Sequence, residues 1–244
     1  MRKFLIILLV LPALLAAQTP TGDEILKRVD DNMTADNKIV TSKMIIHSRR
    51  GSRTIEAKSW LQGSEKSFTE YLAPAREKGT KMLKLEDQLW TYSPSTDRII
   101  RIAGHLLRQS VMGSDLSYED MMEDPELHNL YTASVNGEET VNGRLCWVLD
   151  LVGKKEDLAY QARKIWVDKE RFLILREERF AKSGKLLKST DITETMKIDN
   201  RWIAKRIVFK DALKTGGGTE FVIESINFNA DIPDYVFSKA SLRR

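Results

Sequence analysis

Disulfide chemistry is closed to this chain, because Cys146 is its only cysteine and an internal bridge needs two. Cys146 lies in the apolar run LCWVLDL and reads as a buried, inert thiol. Histidine is almost as scarce. His47, His105 and His128 are far apart and form no HExxH or HxH pair, so their spacing offers no metal site. No GxSxG elbow and no phosphate-binding loop occur. Gly216, Gly217 and Gly218 precede a strand pattern and read as a hairpin tip. No catalytic residue, metal ligand or cofactor site is therefore assigned, and the chain is read as a non-enzyme. Charge of one sign is missing too. Thirty-nine Lys and Arg against 35 Asp and Glu is too even for a protein built to bind nucleic acid. After residue 17 no apolar run nears the about 20 residues that crossing a bilayer requires.

What is present begins with MRKFLIILLVLPALLAA. Arg2 and Lys3 precede an apolar stretch from Phe4 to Leu15, and Ala16 and Ala17 suit signal peptidase. This predicts a cleaved export signal over residues 1–17, cut before Gln18. Because Gln18 stands where a lipidated chain would carry cysteine, the mature chain is expected to be soluble and without a lipid anchor. Residues 18–244 are expected to form one domain.

Thr21 and Glu24 have capping-box spacing, and Ile25, Leu26, Val29 and Met33 follow on one helical face. The remainder reads as strand, turn, strand. SRRGS (48–52) joins two alternating segments, one with Met44 and Ile46, one with Ile55 and Ala57. Further strands are expected near 65–73, 80–86, 88–93, 97–103, 129–136, 139–142, 144–153, 160–168, 171–182, 185–198, 201–213 and 218–229. Turn signals every ten residues or so are the pattern of a mostly β, antiparallel sandwich or barrel, and long consecutive hairpins favour one large, curved, up-and-down sheet. Residues 104–126 break the rhythm. SDLSYEDMMED predicts a short helix capped by Ser114, with Glu119, Asp120, Glu123 and Asp124 facing solvent, and the segment reads as a connector or as a lid over the sheet.

The stretches LWTYSPSTDRIIRI and LLRQSVMGSDLSYEDM, with the ending DIPDYVFS, resemble the outer-membrane lipoprotein-sorting family, the LolA/LolB-like group, in a subgroup marked by SxxGSDxSYxD. The residues that carry the resemblance include Trp90, Tyr92, Arg98, Arg101, Ser110, Gly113, Ser114, Asp115, Tyr118 and Asp120. It implies an incomplete, strongly curved antiparallel β-barrel, a half-barrel with helices lidding its concave face. It further implies a soluble periplasmic carrier of lipoprotein acyl chains or another lipid. Such a carrier takes its load from an inner-membrane exporter or transporter to an outer-membrane acceptor and works as a monomer. An envelope sensor or interaction module on the same fold is the alternative. Candidate cavity and lid residues are Trp60, Met82, Trp90, Tyr92, Arg98, Arg101, Met112, Asp115, Tyr118 and Met121. Arg98 and Arg101 are expected on one strand face, meeting lipid phosphate or pairing with Asp115 and Asp120 to latch the lid.

Overall fold

Among the described residues of the computed structural model, thirteen antiparallel strands form one continuous sheet. The structure describes residues 19–33, 35–49 and 51–244. The expected export signal, Thr34, Arg50 and the side chain of Met33 lie outside them. The strands are β1 (Asn37–Ser48), β2 (Gly51–Gln62), β3 (Lys66–Ala73), β4 (Lys81–Leu85), β5 (Gln88–Ser93), β6 (Arg98–Ile102), β7 (Tyr131–Val141), β8 (Arg144–Gly153), β9 (Ala162–Asp168), β10 (Ile174–Phe180), β11 (Leu186–Ile198), β12 (Arg201–Asp211) and β13 (Gly218–Phe228). Two meanders, β1 to β6 and β7 to β13, are joined by pairing of the first strand with the last, so the sheet order runs β6 to β1, then β13 to β7. It is curved and does not close: β6 and β7 are its two edges. Among the described residues no helix is long and apolar enough to cross a membrane.

Helix α1 (Gly22–Met33) starts with the expected capping box. Thr21 N and Oγ1 donate to Glu24 Oε2 at 2.8 and 3.0 Å, and Glu24 N donates back to Thr21 Oγ1 at 3.3 Å. Ile25 and Leu26 are wholly buried and Val29 nearly so. They pack against Tyr131, Trp147, Leu149, Leu151, Ile165 and Val167, filling the concave face of the β7–β10 half. Each such side chain contributes about 1.5–3 kcal/mol relative to exposure.

The expected strands at 129–136 and 139–142 are a single strand, β7, with an irregularity between Val135 and Gly137. A bulge absorbs one residue without ending a strand, which explains the apparent break in alternation. Residues Leu127–Leu130 form a short helix, α3.

On the first half, alternation sends two different rows to two faces. Ile39, Trp60, Phe68, Leu83, Trp90 and Arg101 are successive cross-strand partners in register from β1 to β6. The apolar members of this convex row are covered by the C-terminal segment through Ala230, Ile232, Phe237 and Leu242. The opposite row, with Met44, Ile55, Tyr71, Met82, Leu89 and Ile102, faces inward.

Candidate functional site

Residues 103–130 must travel from one edge of the sheet, β6, to the other, β7. The shortest route crosses the concave face, and the segment takes it. Val111 is buried there, with Leu106, Leu107, Met112, Leu116, Tyr118 and Met122 packed against Met44, Ile55, Tyr71 and Met82. The lid therefore plugs the β1–β6 half as α1 plugs the other.

The SxxGSD motif builds a closed loop. Ser110 and Ser117 form an isolated bridge, Val111 N donates to Leu116 O at 2.8 Å, and Ser114 N donates to Val111 O at 2.9 Å. Met112 and Gly113 have φ of 51° and 74°, a left-handed reversal that glycine allows at no steric cost. Asp115 pins the loop to the sheet. Its Oδ2 accepts from Thr219 Oγ1 at 2.7 Å and its Oδ1 from Asp211 N at 3.1 Å. Lys214 Nζ donates to Ser110 Oγ and Ser114 O, both at 2.5 Å.

Helix α2 (Tyr118–Met122) is capped by Ser117 and not by Ser114, as the sequence had suggested. Ser117 Oγ is the acceptor that reaches the N3 amide, that of Asp120, at 3.3 Å, and Asp120 Oδ2 accepts from Ser117 N at 2.7 Å. Asp120 and Glu123 do not face solvent. Asp120 accepts from Arg179 Nη1 at 3.1 Å, from Tyr160 OH at 2.5 Å and from Lys188 Nζ. Glu123 pairs with Arg163, which also donates to Glu177 at 2.5 Å, and Glu177 accepts from Arg179 at 2.9 Å. The Arg163 side chain is only 1% exposed. Burial by itself would raise the Asp120 carboxyl, but the Lys188 ammonium and the bonds from Lys188, Ser117 and Tyr160 hold it at about 2. Burial opposes ionisation of Glu177 as well, and Arg179 and Arg163 outweigh it, again to about 2.

Between the two plugs an unfilled strip runs over β1, β12 and β13. A cavity of about 330 Å³ is lined mainly by Val40, Leu61, Ile203, Ile223, Ile226 and Phe228, with Met121 at its lid side. Ala204 and Ile207 also border a second apolar cavity of about 200 Å³, beneath Val29 of α1, which reaches Glu177 and Thr190. A pocket of 300–1,000 Å³ with apolar walls and few polar groups is what a small organic ligand requires.

The structure gathers Met82, Met112, Asp115, Tyr118 and Met121 beneath or within the lid. It separates the rest. Trp60, Trp90 and Tyr92 lie on the convex face under the C-terminal segment, with Lys239 Nζ 4.2 Å from the Trp90 ring centroid. Trp60 already alternates with Ile55 and Ala57 in the sequence, so period two excludes it from their face. Arg98 and Arg101 are three residues apart, hence on opposite faces of edge strand β6, and both are exposed. Neither latches the lid; Arg163, Arg179 and Lys188 do. These three, with Glu123, Tyr160 and Glu177, are functional candidates that sequence reasoning passed over. Their signal was phase: Arg163 shares the strand face of core residues Ile165 and Val167, and Glu177 and Arg179 follow Leu175 at the same period-two spacing.

His47 binds Ser52 and Glu220, and His128 binds Asp30. Among the described residues no group of three or more His, Cys, Asp or Glu side chains is placed to hold a metal.

A protein-family model described as "Uncharacterized protein" matches residues 63–244. No curated protein matches the chain. Among solved structures, a DUF1329 family protein from Desulfovibrio piger is similar at 25% identity, over 91% of this chain and 97% of that one, with a TM-score of 0.83. An outer membrane lipoprotein-sorting protein domain from Vibrio parahaemolyticus is 24% identical over 91% and 98%, at 0.80. A LolA superfamily protein from Nitrosomonas europaea is 24% identical over 91% and 100%, at 0.76.

Proposed function

Since the chain belongs to the family matched over residues 63–244 and has the lipoprotein-sorting, LolA-like fold, we propose that it is a carrier of acyl chains. On this reading residues 1–17 are a cleaved export signal and residues 18–244 are one unlipidated half-barrel unit. It works as a soluble monomer in the periplasm, between an inner-membrane exporter or transporter and an outer-membrane acceptor, and performs no catalysis. Lipoprotein acyl chains or those of another lipid are the load.

One observation carries the reading: the apolar strip over β1, β12 and β13 that neither α1 nor the lid fills. Hydrocarbon gains about 0.8 kcal/mol per methylene moved from water into such a site. Met112, Met121 and Met122 line or border the lid, and unbranched thioether side chains repack around loads of different shape. The β1–β13 seam beside the cavity is paired from Lys38 to His47 with one irregularity at Thr41/Ser42, whereas β12 and β13 pair only from Arg206 to Phe209, so the strands part beneath the cavity between 201–205 and 223–228. Native mass spectrometry of protein purified under mild conditions tests the proposal. The expected result is a retained mass equal to one or more acyl-bearing molecules, or uptake of a lipidated peptide from vesicles. A chain that stays empty in both measurements overturns it.

A further inference from the structure

The ion cluster that closes the lid is unequally divided between its two sides. The sheet contributes three cations, Arg163, Arg179 and Lys188, against one carboxylate, Glu177. The lid contributes two carboxylates, Asp120 and Glu123, and no cation to the cluster. Closed, the cluster is neutral. With the lid lifted, the sheet presents two uncompensated positive charges in a site walled by Tyr131 and Tyr160, over whose rings the Arg163 guanidinium lies at 4.7 and 5.4 Å from the centroids. Like charges held side by side repel, as Arg163 does Arg179, so the open state favours an anion.

The position of the cluster says what carries that anion. On one side Glu177 borders the apolar cavity beneath α1, which shares Ala204 and Ile207 with the larger cavity. On the other side Lys188, Tyr160 and Ser117 line a polar cleft of about 650 Å³ that opens to solvent. The cations thus sit where apolar wall gives way to water, which is where the polar end of an amphiphile lies when its chains are in the cavity. Two donors also stand in reserve: Arg163 Nε and Arg179 Nε are buried and have no hydrogen-bond partner among the described residues, and paired guanidinium donors match phosphate oxygens.

We infer that Arg163, Arg179 and Lys188 form a binding site for the phosphate group of a phosphate-bearing lipid, and that the Asp120 and Glu123 carboxylates of the lid occupy it when no such lipid is bound. The inference rests on the carrier reading above and adds to it: lipid and lid compete for the same cations, so loading displaces the lid. Asp120 with Arg179 and Lys188 then imitates the ligand.

The full chain is incubated with vesicles containing phosphatidic acid or diacylglycerol of identical chains, and retained lipid is counted by native mass spectrometry. Inorganic phosphate is titrated as a third probe. The wild type is expected to retain phosphatidic acid at least about tenfold over diacylglycerol, the gain of one or more charge-assisted hydrogen bonds. In Lys188→Gln and Arg179→Gln the preference falls to about twofold or less while diacylglycerol retention holds. In Asp120→Asn, which removes the competitor, it rises. If inorganic phosphate abolishes the preference, the site reads the free anion as well; if not, it reads phosphate only when chains deliver it, and both results support the site. Equal retention of the two lipids by the wild type, or a preference untouched in Lys188→Gln and Arg179→Gln, overturns the inference and leaves the carrier reading standing. Retention of neither lipid overturns the carrier reading itself.

Discussion

At the scale of single residues, the molecule concentrates its electrostatics in one place. Removing one member of a buried ion pair strands the others and costs about 3–5 kcal/mol. Arg163→Ala is therefore expected to lower the unfolding free energy by about that much in urea melts, since it leaves Glu177 and Glu123 without their shared guanidinium. A loss under about 1 kcal/mol would show the cluster to be solvated like a surface ion pair. Asp120 gives the pH counterpart. Its folded pKa of about 2 lies below the ordinary value of 3.8, so its contribution is complete above the ordinary value and disappears as pH falls through about 2. The stability difference between wild type and Asp120→Asn should be flat from pH 7 to 5 and shrink steadily below pH 4. A difference that survives unchanged at pH 2 would contradict the assignment of Asp120 as the ionised partner. None of this was read from composition, because charged residues on alternating strands look like a solvated face until their phase against Leu175, Ile165 and Val167 is compared.

At the scale of elements, the strands were more legible than the lid. Strands β3 to β6 fall within a residue of their expected bounds, because turn chemistry and period-two alternation reinforce each other there. The lid was foreseen as an interruption and as a short helix. Its cap was misplaced by three residues, since both Ser114 and Ser117 precede acidic and apolar positions that fit, and only tertiary contacts choose between them. Ser114 is instead held within the motif loop. The capping box at Ser117 gives this element a prediction of its own. Ser117→Ala should cost about 1 kcal/mol, expressed locally: amide exchange at 118–122 should quicken while exchange in β8 and β9 stays as slow as in the wild type. Equal acceleration across the sheet would mean that lid and sheet open together.

At the scale of the whole molecule, the half-barrel class followed from hairpin rhythm and from family resemblance, whereas its interior did not. Which face is concave depends on where the C-terminal segment and the lid settle, and alternation alone is symmetric between the two. That is why Trp60, Trp90 and Tyr92 were assigned to a cavity they back onto. The two adjoining cavities on the concave face have mainly apolar walls, and Ile207 borders both. Ile207→Trp should fill that junction and reduce acyl uptake about tenfold or more while moving stability by less than about 2 kcal/mol, since the added ring enters existing space. Uptake measured from vesicles decides it; undiminished loading would place the chains elsewhere. The pairing of β1 with β13 has a consequence for assembly. Every other strand contact in this sheet joins sequence neighbours, so each meander can zip locally and fast, while the seam at its centre closes a loop of nearly the entire chain. Until residues 218–228 are available, β1 keeps a bare inner edge of unpaired amides and carbonyls. The slow step of folding should accordingly be the docking of two preformed halves, and a chain halted before β13 should present an adhesive strand in place of a joined sheet.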